Sequence, residues 1–247
     1  MLGIKDAIKK LYTGDDILVK HIMLFVLTGV PVMLSNPLNE ISKRVALSTT
    51  DAVMSLLALL VMGIISIYLG GYIYGIIHNS FDETKEGILP DFDKSWFKMF
   101  FKALPLQIVW VLYIVLLFII AFILKVGMTY FINPKTASGI VMALFGIISL
   151  IICLMIPFIF TEFSREYKRD GLYNFGLIFT YLRKTFTSVL WLMVKLIPIF
   201  IVVAVVNIFG RGNDVMAYIC TALGAYLTTM MQYIASYCYV QIYKEKL

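Results

Sequence analysis

The chain has 247 residues, 61% of them hydrophobic and 15% charged, with a formal net charge of +6 and a mean hydropathy of +0.90. A soluble domain carries roughly 25% charge, so one globular core would leave apolar surface it could not hide, and intrinsic disorder, which needs low hydrophobicity and high charge, is excluded. Lipid is the solvent that removes the problem, and the basic residues, set in short blocks between apolar runs, read as topology-setting charge and not as a nucleic-acid surface.

A helix needs about 20 apolar residues to cross a bilayer. Six runs qualify: Ile17–Ser35, Ala52–Asn79, Leu104–Met128, Ser138–Phe160, Thr187–Phe209 and Val215–Ile242. The first is the shortest and carries Lys20 and His21 near its start. No small-residue cleavage site follows it, so it reads as a span and not as a cleaved leader. The expectation is an all-α, polytopic membrane protein with six transmembrane helices in a single integral domain over 1–247.

Lysine and arginine choose the cytoplasmic side. Lys5, Lys9, Lys10 and Lys20 precede the first crossing, and Lys85, Lys94, Lys98 and Lys102 follow the second. Arg165, Lys168, Arg169, Arg183 and Lys184 follow the fourth, and Lys244 and Lys246 end the chain. The opposite face holds Lys43, Arg44, Lys125, Lys135 and Arg211. Both termini are therefore expected in the cytoplasm of a multi-pass cell-membrane protein.

Three stretches are amphipathic. Ile4, Ile8 and Leu11 oppose Lys5, Lys9 and Lys10. Trp96, Phe97, Phe100, Phe101 and Leu104 recur at helical spacing against Lys94, Lys98 and Lys102. Phe175, Phe179, Leu182 and Phe186 form a stripe near Arg183 and Lys184. Such helices lie in the headgroup plane, aromatic side down and lysines toward anionic lipid; the same pattern would also suit the cytoplasmic end of a long bent span. Each stretch precedes a pair of spans, which suggests an interfacial helix plus transmembrane hairpin used three times, over 1–80, 81–161 and 162–247.

Chemistry is sparse. Cys153, Cys220 and Cys238 sit inside apolar runs as small hydrophobes. Asp91-x-Asp93-x-Ser95 opens like a calcium loop, but Trp96 stands where the turn needs glycine and Lys102 where a bidentate glutamate belongs. With His21 and His78 as the only histidines, no His-rich metal site is expected. No base is spaced to activate a nucleophile, so no catalytic residue, metal or cofactor is expected. Lys195 is the one ionisable residue well inside a span. It is a functional candidate by position, or a lysine snorkelling to the cytoplasmic edge about eight residues away, roughly 12 Å along the helix. Pro31, Pro157 and Pro198 interrupt spans, as kinks or as breaks that could bind substrate.

One block is more specific. Gly71-Tyr72, His78-Asn79, Gly87 and Leu89-Pro90-Asp91-Phe92-Asp93, followed by Trp96-Phe97, resembles the domain-of-unknown-function family 4013. Its members are polytopic membrane proteins of bacteria and archaea, so the resemblance implies a prokaryotic membrane fold and no reaction. The match runs from about Gly70 to Leu104 and departs at His78, where the family often has Arg, and at Ala103, where it often has Gly. The residues also read on their own. Gly71 and Gly75 form a small-x-x-x-small pair that allows close helix contact, and Asp91 suits the N-cap of the following helix.

The functional expectation is a non-catalytic membrane subunit of a transport or export assembly, with other membrane-protein subunits, the bilayer and anionic lipid head groups as partners. The alternatives are a stand-alone membrane-shaping or lipid-binding protein and a small secondary transporter.

Overall fold

The computed structural model describes residues 3–42, 48–92, 95–166, 175–210 and 215–246. Among them the chain is helix and connecting loop: α1 (Ile4–Leu11), α2 (Ile17–Ser42), α3 (Thr49–Phe81), α4 (Ser95–Thr129), α5 (Pro134–Glu166), α6 (Phe175–Phe209) and α7 (Val215–Lys246).

Local chemistry sets the helix ends. The Ser48 hydroxyl accepts the Asp51 amide at 3.1 Å, and the Asp51 carboxylate accepts the Ser48 amide at 3.3 Å. This reciprocal pair satisfies donors that the first turn of α3 leaves free. Asn133 accepts the Lys135 amide at 2.9 Å, and Pro134 opens α5, where its missing N–H is no loss. Past the end of α3, Asp82 Oδ1 accepts the Thr84 amide and hydroxyl at 3.0 and 2.6 Å, turning the chain into the loop 82–92.

Four stretches are long and apolar enough to cross a membrane: Ile17–Ser35, Thr49–Phe81, Leu104–Thr129 and Gly176–Phe209. They are compatible with a multi-pass membrane protein. In α5 the apolar stretch among the described residues is the shorter Pro134–Ser149, and α7 is a 32-residue helix with tyrosines and threonines along its length.

Two expectations about helix shape change. The aromatic stretches expected as separate interfacial helices run unbroken into the spans that follow, as α4 and α6 of 35 residues each. Pro105 stands at the junction in α4, where the helix continues past it as membrane helices do when neighbours re-satisfy the lost ladder bond. Nor do the prolines divide their helices: Pro31, Pro157 and Pro198 lie within continuous α2, α5 and α6, since membrane helices tolerate a lost ladder bond where neighbours re-satisfy it.

α7 is the hub, packed against α6, α2, α3, α1 and α5. The buried side chains gather at one end of the bundle. They come from the C-terminal parts of α3 (Tyr72, Tyr74, Ile76), α5 (Phe158, Phe163) and α7 (Tyr233, Tyr237, Ile242) and from the N-terminal part of α6 (Ile178, Leu182). α1 docks there through Ala7 and Leu11, both fully buried, while Ile8 is exposed. Toward the other end, apolar side chains face outward, among them Leu56, Leu60 and Ile64 of α3, Leu112, Phe118 and Phe122 of α4, and Phe200, Ile201 and Ile208 of α6. Leaving one such side chain in water instead of burying it costs about 1.5–3 kcal/mol, and dozens are exposed. Four hydroxyls within the bundle are satisfied by their own helix: Thr28, Ser80, Thr161 and Thr185 each donate to the carbonyl four residues back, at 2.7–2.8 Å. That economy suits a surrounding without water.

Candidate functional site

The polar residues of the chain converge where loop 82–92 folds back over the packed end of the bundle. The loop backbone is held by side chains from three helices. Tyr72 of α3, 1% exposed, donates its hydroxyl to the Pro90 carbonyl at 3.0 Å. One face of its ring stacks on Phe92 (centroids 5.3 Å apart), and Tyr233 of α7 lies 5.8 Å away. Asn79, two turns further along α3, donates to the Ile88 carbonyl at 3.3 Å and accepts from Lys85 Nζ at 2.6 Å. Lys20 of α2, its side chain only 10% exposed, ion-pairs with Asp91 at 2.6 Å and approaches the Leu89 carbonyl at 3.4 Å. The Ile88 amide donates to the Lys10 carbonyl at 3.2 Å, tying the loop to α1.

Two glycines make the close approach possible. Gly14 has φ +117°, a conformation that L side chains rarely adopt, and a Cβ on Gly87 would overlap the Thr13 carbonyl oxygen. The result is a cleft of about 390 Å³ lined by residues including Thr13, Lys20, Asn79, Lys85, Glu86 and Asp91. Its charges are of both signs, and Lys20 pairs with Asp91 and Lys85 bonds Asn79 within it, so the arrangement fixes a loop.

The C-terminal ends of α5 and α7 join the same face. Lys244 ion-pairs with Glu83 at 3.0 Å, and its hydrogen bond, with its charge behind it, holds that carboxyl below the ordinary carboxylate range. The Thr84 hydroxyl and amide do the same to Asp82. Arg165 donates to the Tyr243 hydroxyl at 3.3 Å, and Tyr243 donates to Glu162. Both histidines lie at this end, on different partners. His78 Nδ1 is 3.0 Å from the Ser164 carbonyl. His21 Nε2 is 3.2 Å from the Leu11 carbonyl and its Nδ1 2.7 Å from the Tyr226 hydroxyl. A carbonyl only accepts, so the Nε2–H tautomer satisfies both contacts, with Tyr226 donating.

The motif residues thus have positions. Gly71 and Gly75 are buried on α3, as close helix contact requires; Leu89 and Pro90 are buried in the loop, and Phe92 is half-buried. Asp91 pairs with Lys20, and the residues whose amides it would cap, 93–94, lie outside the described residues. Asp93 lies outside the described residues, as do the side chains of Trp96, Phe97 and Phe100; Phe101 is exposed on α4. Lys195 is half-buried on α6, away from the loop, with Nζ 5.8 Å from the centroid of the Trp191 ring one turn back. Among the described residues, no group of three His, Cys, Asp or Glu side chains is arranged to hold a metal ion.

The family model described as Protein of unknown function (DUF4013) matches residues 53–209. The chain belongs to the DUF4013 family. No curated protein and no solved structure matches it. The DUF4013 match takes in the whole pinned loop and its anchors Tyr72 and Asn79, and leaves outside it the further anchors Lys10, Lys20 and Lys244. Those outer anchors are the residues that sequence reasoning misses. In the sequence Lys20 counts only as orienting charge, although a lysine inside the start of an apolar run is a candidate for a buried pair.

Proposed function

We propose that this DUF4013 protein is a non-catalytic membrane subunit of a transport or export assembly. In this reading α2 to α7 make six crossings, and the face carrying the pinned loop and both termini is cytoplasmic. Two features support the placement. The lysine-rich segments expected inside, around Lys10, Lys20, Lys85, Arg165 and Lys244, meet at one end through the contacts above. An even number of crossings also puts the two termini together.

The observation that carries the subunit reading is the outer half of α3. Its most apolar 18 residues have no buried member, and their side chains are apolar on every face. A helix apolar all round is normally surrounded all round, by lipid or by helices of other proteins. Tyr72, Asn79 and Lys20, meanwhile, hold the chain's own loop. This reading takes the repeat in altered form: a free-standing α1 before the α2–α3 hairpin, and amphipathic first turns fused onto α4 and α6 before the other two.

Purification from membranes in mild detergent tests the reading. A partner present in stoichiometric amount, lost when Leu56, Leu60 and Ile64 are changed together to Trp, is the expected result. A clean monomer carrying only lipid would favour the stand-alone lipid-binding protein instead.

A further inference from the structure

A lateral groove of about 270 Å³ opens between α3, α5 and α7, lined by residues including Ile73, Ile77, Pro157, Phe160, Ser236 and Tyr239. It lies within the stretches assigned above to the membrane, and a lipid-facing role for it rests on that assignment. Side chains four residues apart share a helix face. One turn further toward the loop-bearing end, the faces that line the groove carry Phe81 (after Ile77), Arg165 (after Thr161) and Tyr243 (after Tyr239). These three meet. The Phe81 and Tyr243 rings stand edge to face, 5.8 Å between centroids, and Arg165 donates to the Tyr243 hydroxyl at 3.3 Å. The groove therefore ends on a guanidinium, five residues or about 8 Å of helix beyond Phe160.

We propose that the groove holds one acyl chain of a phospholipid, with the phosphate on Arg165 and a primary ammonium headgroup on the neighbouring carboxylates. The apolar body of the site takes a tail and nothing charged. Arg165 is half exposed and has five N–H donors, of which one serves Tyr243. A guanidinium binds phosphate through paired donors. The carboxylates select the headgroup. Glu162 accepts from Tyr243, and Glu166 Oε1 lies 4.0 Å from Arg165 Nε. Two acids beside the phosphate position repel a purely anionic lipid and attract a headgroup that carries its own cation. Phosphatidylethanolamine has that charge pattern, whereas phosphatidylglycerol lacks the ammonium.

The test uses the full chain in vesicles of phosphatidylethanolamine and phosphatidylglycerol in equal parts, with a trace of one or the other bearing a photoreactive diazirine in its tail. Labelled peptides are then mapped by mass spectrometry. Both probes should label the outward faces of α3 and α4, which reports insertion alone. The ethanolamine probe should in addition label the α5 and α7 peptides around Phe160 and Ser236 in excess over the glycerol probe. Arg165→Gln should lower that excess about tenfold, the loss expected for a hydrogen bond to a charged group. Ser236→Trp should abolish groove labelling and leave α3 and α4 labelled. Groove labelling that is equal for the two probes and indifferent to Arg165→Gln would overturn the site, as would labelled α3 and α4 with an unlabelled groove. Absence of label on α3 and α4 would instead overturn the membrane assignment beneath it.

Discussion

Tyr72→Phe removes one oxygen from a fully buried ring. The ring contacts with Phe92 and Tyr233 survive, so packing is preserved and the hydroxyl bond to the Pro90 carbonyl is lost. Pro90 is buried, so its carbonyl is left without that donor. An orphaned buried acceptor costs about 1–3 kcal/mol, which is roughly a 5- to 150-fold change in an opening equilibrium. The reporter is the Ile88 amide, bonded to the Lys10 carbonyl at 3.2 Å in the closed loop. Hydrogen exchange of the protein in detergent or nanodiscs should show residues 87–89 exchanging faster by that factor, with the outward-facing helices unchanged. Tyr130→Phe, on a residue 82% exposed, is the control and should change nothing. Exchange at 87–89 unaltered by Tyr72→Phe would mean that this hydroxyl does not hold the loop.

Gly87→Ala should open the same loop, because the added methyl overlaps the Thr13 carbonyl oxygen; protease cleavage between 82 and 92 should accelerate, and wild-type resistance would refute the close approach. Glu83 has its folded carboxyl held low by Lys244. The tie to the end of α7 is therefore fully formed above the ordinary carboxylate range and is lost as pH falls through the lowered folded value. Protection near Tyr243, taken relative to the intrinsic amide exchange rate at each pH, should fall with acidification in the wild type and be low at every pH in Glu83→Gln; identical profiles would contradict the tie. Lys195→Met keeps the stem over Trp191 and removes a cation–ring contact of about 0.5–1 kcal/mol. It should insert normally and lose no more than a few degrees of thermal stability, and failure to accumulate in the membrane would show that the charge has a structural partner.

The helices were legible because an apolar run of about 20 residues has one reading in a chain this poor in charge. Their starts were legible only in part. The helices of the spans expected to begin at Leu104 and Thr187 are already helical at Ser95 and Phe175, because lysines alternating with aromatics satisfy a helix as well as an apolar run does, and hydropathy marks the edge of the apolar part alone. In the site, Tyr72, Asn79, Pro90 and Asp91 stood out because they cluster within about twenty residues. Their partners did not. The pairings of Lys20 with Asp91, Lys244 with Glu83 and Tyr226 with His21 span 71, 161 and 205 residues, and nothing local in a sequence records which distant charge or ring will meet it. Asp91 shows the consequence: read locally it is a helix-cap candidate, and its pairing with a lysine of another helix had no local signal.

The most direct test is the sidedness of the packed end. Paired reporters, one active only outside the membrane and one only inside, are fused after Phe81, after Phe131, after Glu166 and at Leu247. The account predicts inside signal at 81, 166 and 247 and outside signal at 131. An outside signal at Leu247 together with an inside signal at Phe81 would place Lys244 and Glu83, 3.0 Å apart in the fold, on opposite sides of the bilayer, and would contradict it.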